Sequence, residues 1–354
     1  MKVADLFAGV GGLSLGFEQA GFEVSFAIEF DKDIAAAYEK NHVGTTMYNA
    51  DISKLDPHVL LKKHGRVDVI VGGPPCQGFS QKGKRLSVND DRNFLFRQYV
   101  RFVEVFRPKY FVIENVPNII TTANGYFKDE IVAAFSALGY DVKADVFDMS
   151  EFGVPQQRRR AVFIGQLQKN TVAFPKASGV RVTVNDAISD MQPLESGEGF
   201  EISPYLSAAV NKYQRMMRKG MRGGVQNHQA TAHSAIAITR MKMIPKGMGK
   251  EVLPPEHRTK SIYSGTWCRL IEDDIAATIT TRFDTPSSGR FTHPTQNRCI
   301  TVREAARLQS FPDSFVFYGT KTSQMKQVGN AVPPIFANAI AKEIIKAQRR
   351  GDRR

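Results

Sequence analysis

The beginning of the chain constrains the fold more than any other stretch. Lys2–Phe7 is predicted to be a buried strand, and glycines beginning with Gly9 separate it from a helix that ends near Ala20. A second strand, Phe22–Ile28, follows and ends at Glu29. A strand, a helix and a strand in this order form a unit in which the two strands lie parallel and the crossover is right-handed. We therefore expect a sheet of parallel strands.

The same alternation continues along the chain. Further strands are predicted to end near Asp51 and to cover Val67–Val71, Tyr110–Ile113 and Ala161–Ile164, with an amphipathic helix at Phe94–Phe106. Strands that alternate with helices indicate an α/β fold. The predicted fold class is therefore a Rossmann-like domain, in which a mostly parallel sheet carries helices on both faces.

The alternation stops near Leu194, and the chain up to Ile300 is rich in glycine, methionine, lysine and arginine. Regular structure returns at Thr301, which has the sequence pattern of a helix capping box with Glu304. A last helix is predicted at Ile335–Ala347, with a frayed tail after it. The predicted segments are a catalytic domain over 1–193, an irregular second domain over 194–300, and helices over 301–354 that complete the catalytic domain.

The glycine-containing turn after the first strand predicts a nucleotide site. Gly9 and Glu29 have the spacing at which a strand-end carboxylate contacts ribose hydroxyls, and Asp51 could meet an adenine edge. The turn lacks the Gly-x-Gly-x-x-Gly pattern that holds a pyrophosphate, and no phosphate-binding lysine follows it. The expected ligand is therefore an adenosine without phosphates. A purely structural turn between strand and helix is the alternative.

Cys76 follows the predicted strand Val67–Val71 on the loop Gly72–Ser80. Glycines let this backbone turn sharply and prolines stiffen it, which presents a thiol instead of packing it. Glu114 ends another strand, so both groups are expected at the edge where open parallel sheets bind ligands. A thiolate and a carboxyl there suit attack on an electron-poor ring. A small buried cysteine and a glutamate that pairs with a nearby base are the structural alternatives.

Two arginines, Arg158 and Arg160, alternate in the stretch Gln156–Arg160. On an extended chain alternate side chains point to the same side, so we expect two guanidinium groups on one face. Such a pair can bind a phosphate, or a ring oxygen together with a carboxylate. A solvated basic edge strand is the alternative.

The chain carries a formal net charge of +13, which predicts binding to a polyanion such as nucleic acid. Basic residues crowd the loop Ser80–Arg92, which we interpret as a lid that closes over DNA. A basic protein without such a partner and a disordered surface loop are the alternatives. The cysteines form no metal-binding or disulfide pattern, so no metal and a reducing compartment are expected. No apolar run is long enough to span a bilayer.

The order of these motifs resembles that of the DNA (cytosine-5) methyltransferases. The matching stretches are Asp5–Gly12, Gly72–Ser80, Glu114–Val116, Gln156–Arg160, Arg303–Gln309 and Gln327–Pro334. They span nearly the whole chain in the family's order. The resemblance implies a methyltransferase domain that uses S-adenosyl-L-methionine and releases S-adenosyl-L-homocysteine, with residues 194–300 as the target-recognition domain.

The resemblance also implies a role for each candidate residue. Cys76 would add to C6 of a cytosine flipped out of the duplex, Glu114 would hydrogen-bond N3, and Arg158 and Arg160 would line the base pocket. The positions that match the family's S-adenosylmethionine site are Phe7, Gly9, Gly11, Glu29, Asp51, Ile52, Pro75, Leu95, Asn330 and Val332. The positions assigned to DNA contacts are Ser80, Gln81, Lys82, Lys84, Arg85, Arg282 and Arg290. Asn330 is also expected on a turn with Gly329, just ahead of the last helix.

The expected partner is double-stranded DNA, bound by a monomer in the cytoplasm of a bacterium or phage-infected cell, with a restriction endonuclease acting separately on the same site. One alternative is methylation of tRNA, which one branch of the family performs on the same scaffold. A Rossmann dehydrogenase with a basic appendage would need a Gly-x-Gly-x-x-Gly turn and gives Cys76 no role. A catalytically inactive DNA-binding repressor would need the loss of a catalytic group, and every such group is present.

Overall fold

The computed structural model describes residues 1–75, 94–168, 171–259 and 265–351 of the chain. The chain divides into two compact units. The first unit consists of Met1–Met149, Arg159–Ala177 and Val332–Arg354, and the second of Ser150–Arg158 and Ser178–Ala331. This division differs from the three segments expected from the sequence, because residues 150–158, 178–193 and 301–331 group with the second unit.

Within the described residues, seven strands of the first unit form one sheet, and two short strands pair in the second unit. The strands are β1 (Lys2–Leu6), β2 (Glu23–Glu29), β3 (Thr46–Asn49), β4 (Val69–Gly72), β5 (Tyr110–Asn115), β6 (Tyr140–Asp148), β7 (Arg159–Leu167), β8 (Ile202–Ser203) and β9 (Val225–Gln226). The α-helices are α1 (Gly12–Gln19), α2 (Lys32–Asn41), α3 (Pro57–His64), α4 (Phe94–Phe106), α5 (Asn118–Thr121), α6 (Tyr126–Ser136), α7 (Val184–Ile188), α8 (Lys212–Met217), α9 (Ala235–Met243), α10 (Val302–Leu308), α11 (Lys321–Asn330) and α12 (Pro334–Gly351).

The large sheet has the strand order β3-β2-β1-β4-β5-β7-β6. Strands β3, β2, β1, β4 and β5 pair in parallel. Strand β7 runs antiparallel to both of its neighbours, β5 and β6. The predicted fold class, a mostly parallel α/β sheet, is confirmed. The antiparallel direction of β7 did not follow from the sequence, because strand direction depends on long-range pairing.

The strand order reverses at the centre of the sheet. The chain proceeds outward from β1 to β2 and β3, and then returns to the other side of β1 with β4 and β5. Neighbouring loops at the carboxyl ends of β1 and β4 therefore leave the sheet in opposite directions. Open α/β sheets bind ligands at such a reversal point. The predicted glycine turn follows β1 and the predicted cysteine loop follows β4.

Apolar side chains explain how the helices cover this sheet. The predicted helix at Phe94–Phe106 is confirmed with the same bounds, and it buries Phe96, Tyr99, Phe102 and Phe106 against the sheet core. The last helix of the chain packs on α1 so closely that a Cβ atom on Gly16 would lie 2.4 Å from the Ala337 Cβ.

The second unit is mostly irregular and is stabilised by buried charged groups as well as by apolar contacts. Arg298 forms a bidentate ion pair with Glu304, at 2.8 and 2.7 Å. Arg307 contacts Asp190 at 3.0 Å and Asp313 at 2.6 Å, and the side chains of all three are buried. Such buried charges are tolerated when they are paired and their donors are used. These pairs fix loops that have little regular secondary structure.

Two details of the carboxyl-terminal region differ from expectation. Gly329 and Asn330 lie in the last turn of α11, an unpredicted helix, and not on a turn. The stretch is polar, so no apolar stripe marked it as a helix. The last helix continues to Gly351, which includes part of the tail expected to fray. The capping box between Thr301 and Glu304 is confirmed, with both reciprocal hydrogen bonds formed.

Candidate functional site

The glycine turn after β1 is held open by unusual backbone conformations. Phe7, Gly9 and Gly11 have φ angles of 60°, 56° and 93°. A Cβ atom on Gly9 would meet none of the described residues within 4 Å, whereas one on Gly11 would lie 2.1 Å from the His42 Nε2. Gly9 therefore borders open space where a ligand can approach the backbone. Gly11, in contrast, is required for the packing of α2 against the turn.

Glu29 at the end of β2 fixes this turn. Its Oε2 accepts a hydrogen bond from the Gly9 backbone N–H at 2.9 Å, and its Oε1 accepts one from Asp31 N–H at 2.8 Å. Burial raises the pKa of this carboxyl above its ordinary value. Each carboxylate oxygen has a further lone pair, so Glu29 can accept ligand hydroxyls while it holds the turn. This geometry is compatible with the ribose contact predicted for Glu29.

Phe30 is a candidate that the sequence analysis missed. It follows Glu29 directly, and its side chain is 75% exposed. A large exposed aromatic ring beside a strand-end carboxylate can stack on a flat heterocycle. The available sequence signal was the aromatic residue immediately after the predicted ribose-binding position.

The other predicted cofactor residues of the first unit have distinct environments. Asp51 Oδ1 accepts hydrogen bonds from the backbone and hydroxyl of Ser53 at 3.0 and 2.8 Å, and the backbone bond lowers the Asp51 pKa most. The Ile52 side chain is buried in the core, and Leu95 packs against the same cluster. Any ligand contact by Ile52 must therefore use its backbone. Val332 is buried.

A buried carboxyl lies beneath the glycine turn. Asp5 is completely buried in β1, and its Oδ2 accepts a hydrogen bond from the Ser14 hydroxyl at 2.6 Å. Its Oδ1 has no hydrogen-bond partner among the described residues. Burial raises the pKa of Asp5 to about 7, although the bond from Ser14 opposes this shift. Ser14 also contacts the Tyr38 hydroxyl at 2.7 Å, which links the turn to α2.

Glu114 and Arg160 meet near the carboxyl end of β4. The Glu114 Oε1 lies 2.9 Å from the Arg160 Nε. A Cβ atom on Gly73 would lie 3.4 Å from the Glu114 Oε2. The Asn115 Nδ2 donates to the Pro74 carbonyl at 2.9 Å, which ties the start of the cysteine loop to β5. The carboxylate, the guanidinium and the chain leading to the predicted nucleophile are thus brought together.

Arg158 does not form the second guanidinium of a shared face. It is 1% exposed, and its two terminal nitrogens donate to the carbonyls of Ile279 and Gly329 at 3.2 and 2.9 Å within the second unit. The prediction of two guanidinium groups on one face is therefore wrong. Strand β7 begins at Arg159, so side-chain alternation does not extend back to Arg158.

The remaining candidates are exposed to different degrees or lie outside the described residues. Arg282 is exposed, with its Nε 3.3 Å from the Asp284 Oδ1, and Arg290 is half-buried. Asn330 and Pro75 are exposed. The candidates outside the described residues are Cys76, Ser80, Gln81, Lys82, Lys84 and Arg85.

Two absences apply to the described parts of the chain alone. No group of three or more histidine, cysteine, aspartate or glutamate side chains there is arranged to hold a metal ion. No described helix has the length and apolar character needed to cross a membrane.

Comparison with known proteins relates this site to a group of enzymes. The family model described as C-5 cytosine-specific DNA methylase matches residues 1–346. The Type II methyltransferase M1.HphI of Haemophilus parahaemolyticus is 38% identical over 347 residues, which covers 97% of this chain and 86% of that protein. The Type II methyltransferase M.DdeI of Desulfomicrobium norvegicum is 38% identical over 372 residues, which covers 97% of this chain and 88% of that protein.

Solved structures resemble the fold over the same length. A prophage-encoded E. coli protein described as a DNA modification methyltransferase superposes with a TM-score of 0.81 and 28% identity, covering 99% of each chain. Spodoptera frugiperda DNMT2 superposes with a TM-score of 0.62 and 17% identity, covering 97% of this chain and 99% of that chain. At that identity the second likeness concerns the fold alone.

Proposed function

Because this chain belongs to the C-5 cytosine-specific DNA methylase family and is a DNA (cytosine-5) methyltransferase, we propose that Cys76 is its nucleophile and that Glu114 and Arg160 bind the target base. Membership in this family favours DNA over tRNA as the substrate. It also disfavours the dehydrogenase and the inactive repressor, because neither transfers a methyl group.

The observation that carries this proposal is the contact between Glu114 and Arg160 at 2.9 Å. Glu114 is only 8% exposed, and a charge at such a depth needs a partner. Glu114 and Arg160 form an ion pair, and the Glu114 Oε1 accepts no hydrogen bond from the residues that the structure describes. The carboxyl group therefore keeps acceptor capacity, and the guanidinium has five N–H donors. A carboxyl and a guanidinium with that capacity match the N3 and O2 edge of a cytosine.

The proposed chemistry requires a cytosine outside the helix, because stacking in a duplex shields C6. Extrusion costs a few kcal/mol, which contacts in the pocket offset. The Cys76 thiolate adds to C6, and a proton shared between the Glu114 carboxyl and N3 offsets the negative charge that develops on the ring. C5 then gains a methyl group. Loss of the C5 proton to a base breaks the bond between Cys76 sulfur and C6, and restores both the aromatic ring and the thiolate.

The turn after β1 fits S-adenosylmethionine as the methyl donor. Open space beside Gly9 admits a ligand to the backbone, Glu29 can accept the ribose hydroxyls, and Phe30 can stack on the adenine. We assign the same site contacts from Phe7, Gly11, Asp51, the backbone of Ile52, Pro75, Leu95, Asn330 and Val332. S-adenosylmethionine, when bound, supplies an electrophilic methyl group, and S-adenosylhomocysteine is the product. The absence of a Gly-x-Gly-x-x-Gly turn agrees with a ligand that has no phosphates.

Residues 194–300 are proposed to recognise a specific duplex site. Arg282 and Arg290 belong to this region, and we propose that they contact DNA together with Ser80, Gln81, Lys82, Lys84 and Arg85 of the cysteine loop. Arginine and lysine hold phosphates, and arginine can also read guanine in the major groove. The net charge of +13 favours association with a polyanion.

The biological context is proposed from the relatives. Proteins 38% identical to this chain are named Type II methyltransferases, a class associated with restriction and modification. We propose that this enzyme acts as a monomer in the bacterial or phage-infected cytoplasm. It would protect DNA from a restriction endonuclease that acts separately on the same site.

Bisulfite sequencing of DNA from cells that express the protein tests the function and reads out the target. We expect protected cytosines at one recurring sequence with the wild-type protein and with Cys268→Ala, a control at a buried cysteine of the second unit. Cys76→Ala should give no protected cytosines. Methylation by Cys76→Ala would contradict the proposed nucleophile, and no protection by the wild type would contradict the proposed function.

A duplex with 5-fluorocytosine at the target tests the covalent step separately. Fluorine at C5 cannot leave as a proton does, so the bond between sulfur and C6 should persist and survive a denaturing gel. We expect the adduct with the wild type and Cys268→Ala and none with Cys76→Ala. An adduct of normal yield with Cys76→Ala would contradict the assignment.

A further inference from the structure

The stretch that contains Arg158 forms a hydrogen-bonded seam inside the second unit. Gln157 N–H donates to the Ala276 carbonyl at 2.8 Å, and Ala276 N–H donates to the Pro155 carbonyl at 3.1 Å. The Thr278 hydroxyl donates to the Gln157 carbonyl at 2.7 Å. The two segments therefore run side by side over several residues. Arg158 and its neighbour Gln156 emerge from this seam.

Gln156 connects the seam to α10. Its side chain is completely buried, and its Oε1 accepts a hydrogen bond from Ile279 N–H at 2.7 Å. Its Nε2 donates to the Gln309 Oε1 at 2.9 Å and to the Leu308 carbonyl at 3.3 Å. Both the oxygen and the nitrogen of the Gln156 amide are therefore hydrogen-bonded, and the side chain fixes Ile279 against the end of α10.

Arg158 binds the carbonyl group of Ile279, whose N–H is bonded to Gln156. Its terminal nitrogens join the Ile279 carbonyl to the Gly329 carbonyl, at 3.2 and 2.9 Å. The N–H and the C=O of Ile279 are thus bonded to two different buried side chains. Gly329 also allows close approach, since a Cβ atom there would lie 2.3 Å from the Thr280 carbonyl oxygen. The backbone of α11 therefore packs directly against the backbone of the turn that starts at Thr280.

The chain leaves this anchored position as an exposed turn, Thr280–Arg282, which we call the reading turn. The Thr280 hydroxyl donates to the Arg282 carbonyl at 3.0 Å, and Ser288 donates to the same carbonyl at 2.9 Å. The side chains of Thr280 and Arg282 are exposed. An exposed arginine on an internally bonded turn is presented in a fixed direction.

We infer that Arg158 and Gln156 are positioning residues that set the direction of the reading turn, and that DNA-site discrimination depends on them through Arg282. This inference rests on the proposed role of Arg282 in DNA recognition. Arg158 is only 1% exposed, and two of its five N–H donors are bonded to backbone carbonyls of the second unit, so its side chain is held inside that unit. Its loss would leave buried carbonyls without donors, which would release the turn and not the base pocket.

The test compares Arg158→Lys and Gly329→Ala with Arg160→Lys. Lysine keeps the charge at position 158 but cannot bridge two carbonyls in a fixed plane. Alanine at 329 pushes against the Thr280 carbonyl of the reading turn and leaves the Arg158 side chain itself unchanged. We measure kcat, KM for a duplex with the target site, and discrimination against duplexes with one base pair changed. Both variants should lose discrimination and raise KM about tenfold each, with kcat within about threefold. Arg160→Lys should instead lower kcat and keep discrimination.

A double variant of Arg158 and Arg282 tests whether Arg158 affects discrimination through Arg282. If Arg158 acts through Arg282, then Arg158→Lys should cost little discrimination in an Arg282→Ala background, and the two effects should not add. Additive effects would overturn the inference. So would a fall in kcat of about a hundredfold in Arg158→Lys with KM and discrimination unchanged, because that result would place Arg158 in the base pocket.

The test also separates this inference from the proposed function. If the wild type does not methylate DNA, the proposed function fails. If the wild type methylates its site and Gly329→Ala has normal KM and discrimination, the inference alone fails. Gly329→Ala decides the outcome where Arg158→Lys does not fold.

Discussion

The Glu114 carboxylate and the Arg160 guanidinium lie 2.9 Å apart, although β5 and β7, the strands that carry them, run in opposite directions. Each charge is mostly withdrawn from solvent, so each depends on the other for compensation. We expect Arg160→Ala to lower the rate of methyl transfer about a hundredfold, the usual loss when one group that stabilises developing charge is removed. Single-turnover rates with saturating cofactor and DNA measure this effect.

The control for this prediction is an exposed ion pair of the same unit. Lys2 lies 3.8 Å from Glu23, and both side chains are about half exposed or more. Exposed pairs contribute little, so Lys2→Ala should leave the rate unchanged. An Arg160→Ala rate within about threefold of the wild type would show that the pair does not act on the target base.

Alanine substitutions at three glycines distinguish the cost of backbone strain from the loss of ligand access. The three positions are Gly9, Gly11 and Gly21. All three have positive φ angles, so alanine at each carries a conformational cost of about 1 kcal/mol. Within the described parts of the chain, a Cβ atom on Gly9 or Gly21 would have no neighbour within 4 Å, whereas one on Gly11 would meet His42 and Tyr38. We expect Gly9→Ala to weaken S-adenosylhomocysteine binding about tenfold and Gly21→Ala to leave it unchanged. Calorimetric titration measures both affinities.

Gly11→Ala should behave differently, because its new methyl group has no space. We expect it to lower the free energy of unfolding by about 3 kcal/mol, more than either of the other two substitutions. Thermal or urea unfolding of the three variants checks this order. Equal losses for Gly9→Ala and Gly11→Ala would contradict the packing assigned to Gly11.

Local patterns explain what the sequence could predict. A short apolar run that ends in glycine or in a carboxylate marks the end of a strand, so the turn at Gly9 and the strand ends at Glu29 and Glu114 could be located without coordinates. The capping box of Thr301 and Glu304 is equally local. These features need only a few neighbouring residues to form.

Long-range pairing explains what the sequence could not predict. Side-chain alternation predicted that Arg158 and Arg160 share a face, but Arg158 precedes the strand and is bonded to Ile279 and Gly329, residues more than a hundred positions away. Helix α11 was missed because a polar stretch that ends in glycine and asparagine carries no apolar period. The first error comes from tertiary contacts that override local preference, and the second comes from the lack of a local signal.

Substitution of Phe30 tests the cofactor site without changing the charge of the protein. Its ring is 75% exposed, so Phe30→Ala removes little buried surface and should leave the melting temperature unchanged. Loss of an aromatic stack should weaken S-adenosylhomocysteine binding by about 1 kcal/mol, roughly fivefold. Val43→Ala is the control, since Val43 is 93% exposed in the same unit. Equal affinities for both variants would exclude stacking by Phe30.

The raised pKa of Asp5 predicts that the free energy of unfolding depends on pH. Its pKa is raised by burial to about 7 from an ordinary value of 3.8, so the folded chain binds its proton more tightly than the unfolded chain. The stabilising contribution is complete below about pH 4 and is lost as the pH rises to about 7. Between pH 5 and pH 8 the loss amounts to about 3 kcal/mol.

Asp5→Asn isolates this contribution, because asparagine has a similar shape and does not titrate. The free energy of urea unfolding of the wild type, minus that of Asp5→Asn, should fall by about 3 kcal/mol from pH 5 to pH 8. Subtraction removes the effects of other groups, including His293, whose lowered pKa costs stability as the pH falls. Ser14→Ala should shift the decline to higher pH, because the Ser14 hydroxyl lowers the Asp5 pKa. The same difference at both pH values would show that the Asp5 carboxyl is ionised throughout this range in the folded protein.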